Sequence, residues 1–376
     1  MDFSFTDEQT LLQETVARYV QNDYDFESRQ KNAQLSNGFN PDNWNTFAEL
    51  GWLGVPFSEE DGGFGGSAVD TMILMEQFGR ALVVEPFLPS VIMAGGALKA
   101  GGSAEQKESL LASIIDGSVQ AAFAYAEPNS RFNLADVSTT ATAEGEGYKI
   151  SGDKAVVLNA QNADKLIVVA RTSGEQRDEQ GISVFIVDAK AQGVSRRDYP
   201  TVDALRASEI CFENVSVTKG DLVGEAGAGF AIVEQVIDDA ILAVGAEAVG
   251  AMEVLYKDTV EYCKTREQFG QPIGKFQVLQ HRMVDMFMEY EQSKSILYMA
   301  AIRMDEGYGP AAQKAISALK VQIGKSARFV GQSAVQLHGG MGMTEELNIG
   351  HYFKRLTIIL TLFGNADFHL KRFGRL

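Results

Sequence analysis

The chain has 376 residues, with 33 Lys and Arg against 50 Asp and Glu, which gives a formal net charge of −17 at pH 7. This excess of negative charge repels the phosphates of nucleic acids and of anionic membranes, so the sequence predicts neither as a partner. Hydrophobic residues make up 45% of the chain, enough to build the cores of about two or three domains.

Cysteine use and the N-terminus indicate the compartment. Cys211 and Cys263 form no CxxC pattern, and the chain has four histidines, so we expect neither a disulfide framework nor a metal site. The N-terminus is acidic and polar where a secretory signal would be basic and then apolar. No run of about 18 apolar residues occurs. The sequence therefore predicts a cytoplasmic protein without a membrane segment.

Residues 1–120 have helical periodicity. Thr6 and Gln9 form a capping box ahead of apolar positions at helical spacing, which are Leu11, Leu12, Val16 and Val20. Further helices are predicted over 43–50, 68–81, 91–98 and 106–115, and the Gly- and Pro-rich stretch GWLGVPFSEEDGGFGGS marks a long turn. We predict an N-terminal helical domain here.

At about residue 121 the repeat of apolar residues changes from the helical period to one of two residues, which is typical of β-strands. Runs such as GYKISGDKAVVL, DKLIVVART, ISVFIVDA and SEICFENVSV are rich in β-forming residues, and Gly, Asn and Asp turns separate them. They predict a middle β-barrel or sandwich over residues 121–228. The helical period then returns, with helices predicted over 230–265, 275–307, 311–336 and from 345 onward. Residues 229–376 are therefore predicted to form a four-helix bundle.

The stretch KTREQFGQPIG connects the first two helices of that bundle. Gly270, Pro272 and Gly274 force a tight turn that presents Arg266 and Phe269. A guanidinium held at such a turn can clamp a phosphate through two hydrogen bonds. The alternative is that Arg266 only compensates the dipole at the helix C-terminus.

A second stretch, QLHGGMGMTEE, ends another helix in a Gly-rich turn whose backbone can approach a ligand closely. Taken alone it is a helix C-cap. Together, the R-x-x-F-G and Q-x-x-G-G patterns resemble the flavin-binding motifs of the acyl-CoA dehydrogenase family. The AELGW segment followed by a Gly-Gly loop resembles its N-terminal domain, and the resemblance extends from about Phe5 to the C-terminus.

The resemblance implies an α+β fold of three domains, an N-terminal helical domain, a middle β domain and a C-terminal four-helix bundle. It also implies FAD as cofactor, an acyl-CoA thioester as substrate and electron-transfer flavoprotein as a partner. In the family, the arginine and the Q-x-x-G-G turn bind the FAD of the neighbouring subunit. The FAD-binding positions that it implies are Arg266, Phe269, Gln277, Gln336, Leu337, Gly339, Gly340, Asn365 and Ala126.

The β region departs from the family pattern in its flavin-facing loop. AEPNSRFNLADV stands where the family usually has T-E-P-x-x-G-S-D, a loop that contacts flavin and substrate. Glu127 and Pro128 match, but Ala126 replaces the hydroxyl residue and the Gly-Ser-Asp is lost.

A second departure lies in GDKAVVLNA, which stands where G-x-K-x-W-I-T-N is usual. Gly152, Lys154 and Asn159 match. Val156 and Leu158 replace the tryptophan and threonine that contact the isoalloxazine in the family. The side chains of this flavin face are therefore interpreted as degraded.

The family's general base is also missing. A glutamate in a Y-E-G-T segment usually removes the α-proton of the substrate, and here LFGNAD places Phe363 at that position. A minority of the family carries the glutamate on the helix before R-x-x-F-G, next to an arginine, and here Ala240 and Ile241 stand there. The sequence thus predicts no catalytic base at either position.

Four other carboxylates lie near the two base positions. Asp238 and Asp239 flank Ala240 but are rotated from its face by about 100° per residue. Asp367 lies one helical turn beyond the Y-E-G-T position. Glu247 lies on the same face of the predicted helix as Ala240, about 10 Å further along the helix axis. It is the best placed of the four carboxylates. We interpret each as a solvated or capping carboxylate.

Three functions remain open on the sequence. The first is the smaller, base-less subunit of a heteromeric bacterial acyl-CoA dehydrogenase of steroid or pimeloyl-CoA (dicarboxylic acid) degradation, in which a paralogous subunit supplies the glutamate. The second is a self-sufficient homo-oligomeric dehydrogenase with an unrecognised base. The third is a non-catalytic scaffold that binds acyl-CoA or flavin.

Overall fold

The computed structural model describes residues 4–376, in which helices precede and follow a region of strands. The α-helices are α1 (Asp7–Asp23), α2 (Phe26–Gln34), α3 (Pro41–Glu49), α4 (Ala68–Ala81), α5 (Gly96–Gly101), α6 (Ala104–Gln106), α7 (Ala112–Ile115), α8 (Phe230–Thr265), α9 (Gln277–Asp305), α10 (Pro310–His338), α11 (Asn348–Ile359) and α12 (Ala366–Arg375). Two further segments, Phe87–Gly95 and Lys107–Leu111, are π-helices.

The strands are β1 (Ala121–Ala124), β2 (Thr140–Glu144), β3 (Gly147–Leu158), β4 (Lys165–Arg171), β5 (Ile182–Asp188), β6 (Val194–Pro200), β7 (Arg206–Thr218), β8 (Leu222–Val223), β9 (Glu267–Gln268) and β10 (Gln271–Pro272). The predicted α+β class, with a β region between two helical regions, is confirmed.

The described chain divides into two compact units. The helical unit consists of the segment ending at Lys31, Ala68–Val83 and Ile241–Leu376. The β unit consists of Asn32–Ser67 and Val84–Ala240. Each unit is therefore assembled from segments that are distant in sequence.

The β unit is organised by one mixed sheet. Among the described residues its strands follow the order β6-β7-β3-β2-β4-β5-β8, and β1 pairs in parallel with β4. The long strands β3 and β7 run antiparallel, and their register shifts between Lys154 and Val157. Alternating apolar residues of the strands, including Ile150, Leu166 and Phe212, form the buried core.

In the helical unit, α10 packs against α9, α11 and α12, and α4 packs against α1 and α9. Helices α4 and α8 approach each other closely at two glycines, one on each helix. A Cβ placed on Gly250 would lie 2.0 Å from the carbonyl oxygen of Glu76, and one on Gly79 would lie 2.0 Å from that of Glu247. Only a residue without a side chain fits at either position.

The helix predictions agree with the structure at several places and fail at others. The Thr6 capping box forms, and the helices predicted over 68–81 and 230–265 have those bounds. The prediction of one last helix from residue 345 is wrong, because α11 begins at Asn348 and residues 360–365 separate it from α12. Phe363 and Gly364 have φ values of 57° and 111°, which an α-helix does not allow. No helix within 4–376 is long and apolar enough to cross a membrane.

Gly250→Ala should destabilise the protein because the new methyl group would meet a backbone carbonyl that has no freedom to rotate away. We expect a loss of about 1–3 kcal/mol or more in the free energy of unfolding, measured by urea denaturation. Gly374→Ala is the control, since a Cβ at this position in α12 meets nothing within 4 Å. An equal effect of the two substitutions would show that the α4–α8 contact is not tight.

Candidate functional site

The turn after α8 presents Arg266 and Phe269 to the outside of the chain. The turn is a short hairpin of β9 and β10, closed by a hydrogen bond of 2.8 Å from the Ile273 amide to the Arg266 carbonyl oxygen. Phe269 adopts a φ of 54° and is 92% exposed. The guanidinium of Arg266 is exposed and donates no hydrogen bond to any described residue. It is therefore available to a group outside the chain.

The Gly-rich turn at the end of α10 is also open. Gly339 has a φ of 60°, which favours glycine, and its amide donates to the carbonyl oxygen of Gln336. A Cβ built on Gly339 or Gly340 would meet nothing within 4 Å. Leu337 is 7% exposed and belongs to the core of the helical unit.

The helical unit carries exposed donors at the positions that the family resemblance implies for FAD. The side-chain amides of Gln277 and Gln336 are exposed, and within the described part of the chain neither is hydrogen-bonded to the protein. With Arg266, they provide a cation and two amides for the phosphate and hydroxyl groups of such a ligand. Asn365 differs, because its side-chain oxygen accepts from the Phe368 amide at 2.9 Å and caps α12.

In the β unit, a buried ion pair joins the two segments that match the flavin-facing motifs. Lys154 is 0% exposed, and its Nζ lies 2.7 Å from Oε1 of Glu127, which is 6% exposed. The same Nζ donates to the Tyr125 carbonyl oxygen at 3.2 Å. Glu127 also accepts from the amides of Ser138 at 2.8 Å and Thr139 at 3.0 Å, and from the Ser138 hydroxyl.

The environment of this pair shifts both pKa values. Burial would raise the pKa of Glu127, but the charge of Lys154 and the hydrogen bonds from Lys154 and Ser138 outweigh it and lower the pKa to about 2. Burial lowers the pKa of Lys154 to about 8, against the opposing effect of Glu127. At neutral pH the pair is ionised. The sequence showed both residues as motif matches but gave no sign that they contact each other.

Val156 lies at the bulge of β3 next to this pair. Its φ is 52°, a rare conformation for a β-branched residue, and its side chain is 48% exposed. The Ala155 amide donates to the Ala126 carbonyl oxygen at 2.9 Å, which ties the bulge to the start of the loop. The backbone of the flavin-facing segments is thus tightly defined, although the family's aromatic side chain is absent.

The segment at the usual base position has no proton acceptor on its side chain. Phe363 is 8% exposed, and its carbonyl oxygen accepts from Nε2 of His369 at 2.9 Å. Burial lowers the pKa of His369 to about 4, so the imidazole is neutral and its Nε2 carries a hydrogen. Lys320, which is 1% exposed, donates to the Ile359 carbonyl oxygen just before this segment. These contacts fix the backbone of the segment.

The alternative base position is apolar, and Glu247, the best-placed substitute, is already paired with an arginine. Ala240 is 0% exposed. Glu247, 5% exposed, binds Arg355 through two hydrogen bonds, 2.5 Å from Nε to Oε1 and 2.7 Å from Nη2 to Oε2. Losing one partner of such a buried pair leaves an uncompensated charge. The interpretation of Glu247 as a solvated or capping carboxylate is therefore wrong. The sequence did not reveal this pairing, because the two residues are 108 positions apart.

Asp239 stands next to the alternative base position. Burial raises the pKa of its carboxyl group to about 7, with the charge of Asp238 adding to the effect and that of Lys99 opposing it. Asp238 is 1% exposed, whereas Asp367 is exposed at the N-terminus of α12. No cluster of three or more His, Cys, Asp or Glu side chains suited to a metal occurs in residues 4–376.

Sequence comparison identifies the class of protein. Family models described as the N-terminal, middle and C-terminal domains of acyl-CoA dehydrogenase match residues 6–118, 122–215 and 227–375. The chain belongs to the acyl-CoA dehydrogenase family. It is therefore an oxidoreductase of the acyl-CoA dehydrogenase type, and FAD is the cofactor of this family.

Individual relatives agree with this assignment over nearly the whole chain. The chain is 32% identical to 3-(aryl)acrylate reductase of Clostridium sporogenes over 325 residues, which cover 85% of both chains. Its structure is similar to that of the FAD complex of PigA, with a TM-score of 0.93 and 27% identity over 100% of this chain and 98% of that one. It is also similar to a chain of the ChsE4-ChsE5 complex from Mycobacterium tuberculosis, with a TM-score of 0.90 and 25% identity over 100% and 98% of the two chains.

The Glu127–Lys154 pair should make the stability of the protein depend on pH in a defined direction. Because the pKa of Glu127 is lowered from 4.5 to about 2, its ionised form stabilises the fold above pH 4.5, and this contribution is lost as the pH falls towards 2. Glu127→Gln should cost about 3–5 kcal/mol at neutral pH. The difference from the wild type should shrink as the pH is lowered from about 4.5 towards 2.

Urea denaturation at each pH measures this difference. Glu144→Gln is the control, because its ion pair with Lys149 is exposed and contributes little. If Glu127→Gln lowers the free energy of unfolding by the same amount at every pH, the Glu127–Lys154 pair is not the source of the pH dependence.

Proposed function

We propose that this chain is the base-less subunit of a heteromeric FAD-dependent acyl-CoA dehydrogenase and acts with a paralogous subunit that supplies the general base. The observation that carries the proposal is the chemistry of the two family base positions. Phe363 and Ala240 are buried and have no proton acceptor on their side chains. Glu247, the best-placed substitute in the sequence, is bound to Arg355 on both carboxylate oxygens.

Dehydrogenation of an acyl thioester needs a group that removes the α-proton, and bound FAD accepts the β-hydrogen as a hydride. The residues of this chain that would hold FAD are Arg266, Phe269, Gln277 and the turn at Gly339 and Gly340. Arg266 would bind the pyrophosphate, and the glutamine amides would bind neighbouring polar groups. As the family resemblance implies, these groups serve the FAD of an adjoining subunit.

The surface of the helical unit supports an assembly with another subunit. Apolar side chains on α9 are between 44% and 74% exposed, namely Val278, Val284, Phe287 and Met288. Phe269, on the preceding turn, is more exposed still. A monomeric protein rarely leaves such a set of apolar side chains in water, so a contact with another chain is the favoured explanation.

The substrate class and the redox partner are part of the same proposal. Similarity to a chain of the ChsE4-ChsE5 complex supports a heteromeric assembly. Steroid-type or dicarboxylic acyl-CoA thioesters are the proposed substrates, as the family resemblance implies. Electron-transfer flavoprotein is the proposed acceptor of the electrons from reduced FAD. The proposed domains are residues 1–120, 121–228 and 229–376.

A self-sufficient dehydrogenase is the second candidate, with a base on α8. The carboxyl group of Asp239, adjacent to the alternative base position, has its pKa raised by burial to about 7. A base with a pKa near the working pH is suited to proton abstraction. If the chain is active alone, Asp239 rather than Glu247 is the first residue to replace.

Arg266→Ala should weaken FAD binding, because a charged hydrogen bond to the pyrophosphate is lost. Such a contact contributes about 1.5–3 kcal/mol, so the dissociation constant should rise about ten- to a hundredfold. Flavin fluorescence measured at sub-saturating FAD reports the affinity. Arg18→Ala, an exposed arginine of α1, is the matched control. Unchanged flavin binding by Arg266→Ala would show that Arg266 only compensates the dipole at the C-terminus of α8.

The purified chain alone should not dehydrogenate acyl-CoA at a normal rate, whereas a mixture with its paralogue should. General-base catalysis contributes about 10²- to 10⁴-fold, so a weak residual rate in the single chain agrees with the proposal. The assay follows α,β-dehydrogenation with an artificial electron acceptor, and the paralogue with its glutamate replaced by glutamine serves as control. Turnover by the single chain at the rate of the mixture would refute the heteromeric proposal.

A further inference from the structure

A pocket of about 350 Å³ lies in the helical unit, where the last turns of α8 face the start of α11. Its remaining walls come from α2 and from the C-terminal end of α10, and all four segments belong to the same compact unit. Pockets of about 300–1,000 Å³ are the size that holds a small ligand. The chemistry of the walls therefore indicates which ligand would fit.

Every charged side chain that lines this pocket is acidic. Asp258 and Glu261 lie one helical turn apart on α8, and Glu346 lines the pocket from the segment ahead of α11. Glu261 pairs with the exposed Lys264 at 2.6 Å, whereas Glu346 forms no ion pair with any described residue. Asp258 accepts from the Asn348 amide through Oδ2 at 2.9 Å, which leaves its Oδ1 for a ligand. This charge repels the phosphates of FAD and of CoA and favours a cation.

His338 gives a second, independent indication of a ligand. It is 5% exposed, and its ring stacks on Tyr262 with the centroids 4.3 Å apart. Its Nδ1 lies 2.8 Å from the Ala334 carbonyl oxygen, which can only accept, so Nδ1 carries a hydrogen. Burial lowers the pKa of His338, against the opposing effects of that hydrogen bond and of the charge of Asp258, so Nε2 of the neutral ring is an acceptor.

This acceptor has no donor within the part of the chain that the structure describes. His338 lines the pocket, and no described group donates to its Nε2. Buried polar atoms in folded proteins are almost always hydrogen-bonded. The donor for Nε2 must therefore come from whatever fills the pocket, and the same molecule meets carboxylates that can only accept.

The carboxylates are spread around apolar surface, which limits the kind of cation. Phe26, Leu347 and Ile349 form the apolar part of the lining, and the rings of Phe26 and Tyr262 can attract a cation through their faces. In residues 4–376 no three acidic, His or Cys side chains converge as a metal ion requires. A single lysine or arginine side chain would bring one charge to three carboxylates. A linear polyamine instead carries several ammonium groups, and its methylene segments can cover the apolar surface between them.

We propose that this pocket binds a linear polyamine, whose ammonium groups bind the three carboxylates and donate a hydrogen bond to Nε2 of His338. Because His338 directly precedes Gly339, the bound cation also restrains the start of the Gly-rich turn. The site goes beyond the proposed function and does not depend on it, since neither FAD nor a second subunit contributes a group to the pocket.

Isothermal titration calorimetry of the full-length chain with spermidine tests the proposal. The titration is run at about 0.15 M NaCl, where diffuse attraction of a polycation to a chain of net charge −17 is screened. We expect saturable binding at a single site per chain. Bound spermidine should also lower deuterium uptake over residues 258–262 and 338–349.

Three variants separate the parts of the pocket. Asp258→Asn and His338→Phe each remove an acceptor of a charged hydrogen bond, and each should raise the dissociation constant of spermidine about ten- to a hundredfold. The phenylalanine keeps a ring that can stack on Tyr262. Glu346→Gln, at an exposed position, should raise the dissociation constant about two- to fivefold. If either of the first two variants does not fold, Glu346→Gln decides.

Glu49→Gln is the matched control, because it removes the same charge from an exposed residue of the β unit. It should leave the affinity for spermidine unchanged. A trilysine peptide is the second probe, since it carries the same ammonium groups on a peptide chain, and it should bind more weakly than spermidine.

Three results would overturn the proposal. The first is the absence of saturable spermidine binding, and the second is wild-type affinity in the pocket variants, which would show that the attraction is diffuse. The third is a site that trilysine saturates and spermidine does not, which would assign the pocket to a basic segment of a protein.

Discussion

A buried carboxylate must have its charge compensated, and in this protein that constraint separates the acidic residues that organise the fold from those that are free for chemistry. Glu247 and Glu127 are each about as buried as core residues, and each meets a basic side chain within 2.7 Å. Removing either partner would leave an ion without water or counter-charge. Neither carboxylate can therefore be a mobile proton acceptor, and both act on the backbone around them.

The segments at the usual positions of reactive groups have a well-supported backbone although they carry no such groups. The segment with Phe363 has no acid or base on its side chain, yet contacts from His369 and Lys320 hold its backbone in place. The same holds for the β unit, where the bulge persists at Val156 without an aromatic ring.

Local patterns were sufficient to predict much of this fold, and long-range pairings were not. Hydrophobic periodicity gave the bounds of α4 and α8, and the change of period located the strands, because both signals come from neighbouring residues. The break after α11 was missed although Asn365 caps the next helix, a local signal that could have revealed it. The partner of Glu247 could not be found this way, since Arg355 is distant in sequence and only the packed helical unit brings them together. The openness of the turns at Arg266 and Gly339 also needed the structure.

The π-helix Phe87–Gly95 gives the chain a place where its length can change. All nine of its residues are buried, and its hydrogen bonds span one residue more per turn than those of the α-helix that follows. Such a segment is equivalent to an α-helix that has accepted an inserted residue. Deleting one residue here would return the backbone to α geometry and change which side chains fill this buried segment. Homologous chains could therefore remodel this interior wall by a single-codon deletion, without any change to the helices on either side.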